Sequence, residues 1–235
     1  MINVHCKEIN KMWYGVAIEG EKIFATAFSS SEEEVLRSLL ESLPYDMPFQ
    51  MAEKSSRFST KVLETMKEIF DGKDSSAKFS LAMDHLSSYT RKVLKRVSLI
   101  PVGYVTTYGA VAKVAGGSPR AVGQALASNP FPLLIPCHRV VYADFSIGGF
   151  SGYGGVKTKR EILRREDRDY KKSMQRRVDN KVLSLFSVNL VLHTKDAERV
   201  QLNSQIDSSR RSLQKSYKLL NATHMVSKKR VPSNS

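Results

Sequence analysis

Apolar positions alternate loosely with polar ones from Trp13 to Phe28: Tyr14, Val16 and Ile18 precede Gly20, and Ile23, Ala25 and Ala27 follow it. A period of two interrupted by Gly20-Glu21 predicts a β-hairpin turning there. The period then changes. Ser31 stands three residues before Glu34, the spacing of a capping box, and Val35, Leu36, Leu39, Leu40 and Leu43 follow at helical spacing until Pro44. Val62, Leu63, Met66, Ile69 and Phe70 predict a second helix over 60–70, closed at Asp71 and Gly72. A small α/β scaffold over residues 1–80 is the expectation, and none of its side chains forms a catalytic constellation.

The second half reads as helical. Leu86, Tyr89, Val93 and Val97 share one face of a helix over 85–100. Two short helices, 107–115 and 119–128, are separated by Gly116, Gly117 and Ser118, which is helix-turn-helix spacing. In such motifs the second helix enters a DNA groove. Here that helix reads PRAVGQALAS. One arginine and several small residues permit close approach to a groove with few side chains able to read base edges. That suits a protein that must scan any sequence. A last helix is expected over 157–165.

Charge sharpens this picture. The 235 residues carry a net charge of +14. Residues 1–80 hold 10 Lys/Arg against 13 Asp/Glu, residues 81–166 hold 12 against 4, and residues 167–235 hold 15 against 6. A basic region beside a slightly acidic one is the electrostatic footprint of a nucleic-acid partner, although charge alone also fits a solubilising surface. The only cysteines, Cys6 and Cys137, exclude a disulfide framework. No signal peptide and no apolar run of membrane-spanning length is found, so a soluble chain in the reducing cytoplasm is expected.

Candidate chemistry concentrates at residues 136–140, Pro-Cys-His-Arg-Val. A thiol is a useful nucleophile only as thiolate, and neighbouring cations or a hydrogen-bonded base favour that form. Cys137 lies directly beside His138 and Arg139. The bland alternative is a buried structural cysteine, since free Cys is among the most buried residue types.

Further motifs decide between these readings. IPxGxxxTYG spans Ile100 to Gly109, RAVG spans Arg120 to Gly123, NPxP spans Asn129 to Pro132, and PCHRV is followed by GGFSG from Gly148 to Gly152. In this order and spacing they resemble the O6-alkylguanine-DNA alkyltransferases, single-turnover DNA repair proteins. The resemblance extends in layout over residues 1 to about 166 and in specific motifs over 86–166. It implies an α+β fold: a ribonuclease H-like N-terminal domain over 1–80, then a mainly helical, winged helix-turn-helix-like domain over 81–170. A basic extension over 171–235 would follow. The implied partner is double-stranded DNA containing O6-alkylguanine, bound by a monomer that needs no cofactor.

The same resemblance assigns roles. Cys137 would attack the alkyl carbon, His138 would deprotonate the thiol through a water, and Glu166 would orient His138, with Asp167 the adjacent carboxylate. Arg120 would enter the base stack, with Ala121 and Arg139 also on the DNA. Tyr108 would turn the 3′ phosphate and contact the extruded base. The Ser151 backbone N–H and the Val140 carbonyl would bind the guanine, and Lys159 would assist from the same wall. Asn129 would pin the turn before the PCHRV segment, and Pro132 and Phe150 would line the alkyl pocket. Some family members carry structural zinc, but His5-Cys6 has no second ligand pair nearby in sequence and no metal site is expected.

Two departures stand out. Gly152-Tyr153-Gly154-Gly155 is a small insertion, and Phe150 stands where the family more often has tyrosine. The extension offers three readings: nonspecific DNA-binding segment, remnant of a lost domain, or largely disordered chain, the last with partial helix being preferred. Three other functions fit parts of the pattern less well. A lesion-binding alkyltransferase-like protein would lack the cysteine. A transcription regulator would have a base-reading second helix. A Cys-His hydrolase would hold nucleophile and base far apart in sequence.

Overall fold

The structure, a computed structural model, describes residues 1–52, 54–75, 77–170 and 173–193. Met1–Leu192 form one compact unit. It is mixed α and β, with two sheets and seven α-helices among the described residues.

Strands β1 (Ile2–Ile9), β2 (Met12–Glu19) and β3 (Lys22–Ser29) form an antiparallel meander. The expected hairpin is β2–β3, with Gly20 in the left-handed region at φ 57°. Helix α1 (Glu32–Ser42) has Ser31 as its N-cap, accepting from the Glu34 amide. Strand β4 (Phe49–Met51) runs parallel to β1, helix α2 (Arg57–Phe70) follows, and β5 (Ser80–Leu81) runs parallel to β3. The sheet order is β4-β1-β2-β3-β5. Val35 and Leu39 of α1 pack with Val4, Ala17 and Ala25, whereas Val62, Leu63 and Met66 of α2 pack with Tyr14, Val16 and Ile18. The sheet is therefore covered on both faces, and every residue from Tyr14 to Ile18 is buried. That is why the alternation in this segment is only loose.

Gly15 is required by α1. A β-carbon there would fall 2.3 Å from Val35 and 2.8 Å from Leu39. Gly15→Val is expected to displace α1 and lower stability by about 1–3 kcal/mol, the usual cost of overpacking, measured by chemical denaturation. The first strand, β1, was not anticipated, although Ile2, Val4 and Cys6 alternate with Asn3, His5 and Lys7.

In the second half, α3 (Ser88–Val97) packs against α4 (Tyr108–Ala115) and α5 (Pro119–Ala127). Ser87, Thr107 and Ser118 cap the three helices through their side-chain oxygens. Gly116 and Gly117 make the α4–α5 turn at φ 88° and 82°. Strand β6 (Tyr104–Thr107) leads into α4 and pairs with β7 (Val140–Val141), and α6 (Gly155–Arg165) closes the segment. The main core is continuous from Tyr14 through Met66 and Val97 to Ile135.

The beginning of the basic extension differs from expectation. Met174–Val178 (β8) and Lys181–Ser187 (β9) form a hairpin, and β9 pairs antiparallel with β6, giving the order β7-β6-β9-β8. A short helix, α7 (Asn189–Leu192), follows. Val178, Leu183 and Leu185 join the main core, so disorder does not hold for residues 173–193. Residues 194–235, including the helical pattern through Val200, Leu202, Ile206 and Leu213, lie outside the described residues.

Candidate active site

The loop from Asn129 to Pro136 presents Cys137. The Asn129 side chain closes it, accepting from the Phe131 amide at 3.0 Å and donating to the Ile135 carbonyl at 3.3 Å. Thr26 of β3 anchors the same loop: its amide donates to the Pro130 carbonyl at 2.8 Å and its hydroxyl to the Pro132 carbonyl at 3.0 Å. Thr26 carries no motif, and sequence reading missed it. Cys137, His138 and Arg139 then form one 3₁₀ turn, all three buried.

Behind the cysteine lies a buried ionic network. His138 Nε2 is 2.9 Å from Glu166 Oε1. Arg139 Nε donates to both Glu166 oxygens, at 3.1 and 2.9 Å, and Nη2 donates to Oε1 at 2.7 Å. Arg139 Nη1 donates to the Ile100 carbonyl at 2.6 Å. Arg139 therefore corrects the expectation of a DNA contact: its guanidinium is inside the protein, neutralising Glu166. Of the two adjacent carboxylates, Glu166 reaches His138, while Asp167 accepts from the Asp169 amide.

Burial works against the Glu166 carboxylate, but its interactions with His138 and Arg139 outweigh it and hold its pKa at about 2. A carboxylate only accepts hydrogen bonds. The His138 Nε2 therefore carries a proton. Burial lowers the His138 pKa, with Glu166 opposing, so the ring is neutral and its second nitrogen, Nδ1, is the basic one. Nδ1 has no hydrogen-bond partner among the described residues. For Cys137, burial raises the pKa, opposed by the Asn129 side chain, the Lys159 charge and the backbone amides of Cys137 and His138. The resting sulfur is thus a thiol set among groups that favour its thiolate.

Lys159 is fully buried on α6. Its ammonium donates to the Val140 carbonyl at 2.6 Å and the Gly149 carbonyl at 3.1 Å, tying the GGFSG segment to the strand after Cys137. Burial lowers its pKa to about 8, with the Cys137 charge opposing. It lies 5.9 Å from the Tyr108 ring centre. The Val140 carbonyl expected to receive a base's amino group thus already accepts from Lys159, leaving one lone pair.

A cavity of about 710 Å³ opens onto Cys137, with Tyr108, Arg120, Phe150 and Ser151 in its wall. Burial pushes the Tyr108 hydroxyl up to about 12, with Tyr142 and Cys137 adding to the effect. Pro132 and Asn129 do not reach this cavity. They line a smaller one of about 190 Å³ that Cys137 also borders. Ala121 is not in either wall, and its amide is taken by the Ser118 cap. Gln124 and Tyr142 are among the wall residues that were not anticipated. Among the described residues no three His, Cys, Asp or Glu side chains gather as a metal site.

Residues 88–168 match the family described as "6-O-methylguanine DNA methyltransferase, DNA binding domain". A methylated-DNA–protein-cysteine methyltransferase of Methanocaldococcus vulcanius is 36% identical over 160 residues, covering 68% of this chain and 94% of that one. This chain belongs to that family. The namesake from Methanothermobacter thermautotrophicus is 45% identical over 107 residues, or 45% of this chain, which span 60% of the relative's length. The crystal structure of O6-methylguanine-DNA methyltransferase from Pyrococcus kodakaraensis superposes with a TM-score of 0.55 at 27% identity, covering 71% of this chain and 99% of that one. Methylated-DNA–protein-cysteine methyltransferases are named for moving a methyl group from DNA to a protein cysteine. In this member the cysteine facing the large cavity is Cys137, and the β8–β9 hairpin begins beyond the 88–168 match.

Proposed function

We propose that this chain repairs double-stranded DNA by one stoichiometric transfer of an alkyl group from O6-alkylguanine to Cys137. The observation that carries the reading is the position of Cys137 on the cavity wall, next to a neutral histidine whose basic nitrogen is free. An alkyl group on guanine O6 is inaccessible within a duplex, so the nucleotide must be extruded into the cavity. Arg120, exposed at the start of α5, fills the gap it leaves. The thiol proton passes through a water to His138 Nδ1, and the imidazolium formed is stabilised by Glu166. The sulfur attacks the alkyl carbon, a C–S bond forms, and the bond to O6 breaks with its electron pair going to the purine. Tyr108 and the Ser151 amide hydrogen-bond to that purine anion, which recovers a proton on release. The product thioether has no ready leaving route, so each chain acts once.

In the same reading the β1–β5 half is a ribonuclease H-like scaffold, and 81–170 is a winged helix-turn-helix-like domain. The chain works as a monomer in the cytoplasm without a cofactor. Among the described residues no helix is long and apolar enough to cross a membrane.

A duplex whose restriction site is blocked by one O6-methylguanine tests this directly. Incubation with the protein is expected to restore cleavage, in an amount that never exceeds the protein added. Retained blockage would overturn the reading, and restoration beyond one site per chain would overturn its single-turnover form.

The pH dependence follows from the His138 shift. Because its pKa is lowered, the base form persists below the ordinary histidine value of 6.5. The single-turnover transfer rate should therefore stay level as pH falls through 6.5 and decline only in more acid solution. A midpoint at or above 6.5 would mean that His138 is not the base.

A further inference from the structure

Tyr142 follows the second residue of β7 and is 52% exposed. A large aromatic side chain left this open at the mouth of the Cys137 cavity requires an explanation, and its surroundings show that its position is fixed. Its amide donates to the Ser146 carbonyl at 3.0 Å, and its carbonyl accepts from the Phe145 amide at 3.1 Å. Asp144 closes the turn by accepting from the Ser146 amide and hydroxyl, at 3.0 and 2.7 Å. Phe145, at the turn's tip with φ 63°, packs edge-on against Phe186 of β9, 5.0 Å between centres. The β8–β9 hairpin thus braces the turn that carries Tyr142.

The ring itself meets Tyr108. Their centres are 5.5 Å apart and their planes inclined by 44°. Gly148, at φ 72°, lies beneath both: a β-carbon there would sit 3.2 Å from the Tyr142 ring and 3.4 Å from that of Tyr108. Inserting a flat base between two rings requires about 7 Å, two van der Waals contacts. The two tyrosines are closer than that, so they do not sandwich a ligand. They form one continuous aromatic wall, Tyr108 inside and Tyr142 at the rim, with Phe150 elsewhere in the same cavity wall. Every nucleobase offers a π-face to such a wall, and its grip grows with the area stacked.

We infer that Tyr142 is a substrate-binding residue, the outer half of an aromatic wall that holds an extruded purine by stacking. The inference rests on the proposed alkyl transfer. The ring, not the hydroxyl, is the working part.

Single-turnover transfer from an O6-methylguanine duplex should be compared for the wild type, Tyr142→Phe, Tyr142→Leu and Tyr142→Ala, alongside affinity for the undamaged duplex. Phe is expected to stay within about threefold of wild type. Leu and Ala are expected to lose roughly ten- to a hundredfold in second-order rate, the range of one base–aromatic stack. Undamaged-duplex affinity should not change, because Tyr142 acts only once the base has left the stack. Leu matching Phe would show a role in packing alone and overturn the inference, as would an unaffected Ala variant. An equal loss of undamaged-duplex affinity would overturn it too, by placing Tyr142 on the DNA backbone. Should the wild type itself transfer nothing, the failure belongs to the proposed function. Wild-type transfer with an unaffected Ala variant sinks only the assignment of Tyr142.

Discussion

Ending the chain after Tyr170 is expected to abolish its cooperative thermal transition. The family's motifs finish near Glu166, and the +9 region beyond looks dispensable by composition. The structure points the other way. Val178, Leu183 and Leu185 are buried in the main core, and Val188 and Val191 are buried in a cluster with Val105, Val141 and Leu163. Burying one such side chain is worth about 1.5–3 kcal/mol. Five of them together rival the whole stability of a typical domain, about 5–15 kcal/mol. The cut would also strip the hydrogen-bonding edge of β6, the strand that leads into α4 and pairs with β7 beside the cysteine turn. Ending after His193 keeps the hairpin and α7 and is expected to preserve the transition. Scanning calorimetry or circular-dichroism melting of the two truncations decides the matter: equal melting would show that the hairpin contributes little.

The second large effect is expected at Glu166. Among the described residues its carboxylate is the sole acidic partner of two buried bases, His138 and Arg139. Glu166→Ala leaves an uncompensated guanidinium inside the protein, and breaking a buried pair in this way costs about 3–5 kcal/mol. Glu166→Gln is the more informative change. It keeps the shape but removes the negative charge that fixes the His138 tautomer and stabilises the imidazolium. Arg139 again loses its counter-charge, so a weakened fold that keeps its shape, with alkyl transfer slowed by roughly 10²-fold or more, is the expected outcome, since that is the scale of general-base catalysis. Wild-type rates in Glu166→Gln would contradict the arrangement in which Nδ1 receives the thiol proton. The pKa of about 2 adds a signed stability effect. The carboxylate is depressed by folding, so its contribution is complete above its ordinary value of 4.5 and is lost as pH falls from there towards 2. The Gln variant should lose that part of the acid sensitivity.

Much of the fold was legible because each local signal agreed with its surroundings. The Ser31–Glu34 pair fixed the start of α1, and the paired glycines fixed the α4–α5 turn. The failures have physical causes. β1 was passed over because Lys7 and Glu8 make its end polar, although it alternates cleanly where it lies beside β2. The β8–β9 hairpin has a local mark, the Asp179-Asn180 turn between Val178 and Lys181, that the surrounding charges obscured, whereas its pairing with β6, some eighty residues away in sequence, leaves none. Arg139 was placed on the DNA because its charge is visible in sequence and its burial is not. That burial depends on the chain returning at Glu166 and on the Ile100 carbonyl. Thr26 and Tyr142 were missed for the same reason. Each acts through a neighbour that only the fold supplies, the Pro130–Pro132 backbone for one and the Tyr108 ring for the other.

The central claim is that Cys137 is the alkyl acceptor and is used once. Intact-protein mass spectrometry after mixing with excess duplex containing one O6-methylguanine addresses it most directly, with Cys137→Ser alongside. One methyl-sized mass increase per chain, located by peptide mapping at Cys137 and absent from Cys137→Ser, is the predicted result. An unchanged mass in a protein that still binds the lesion tightly would contradict the account, as would a methyl group mapped to Cys6.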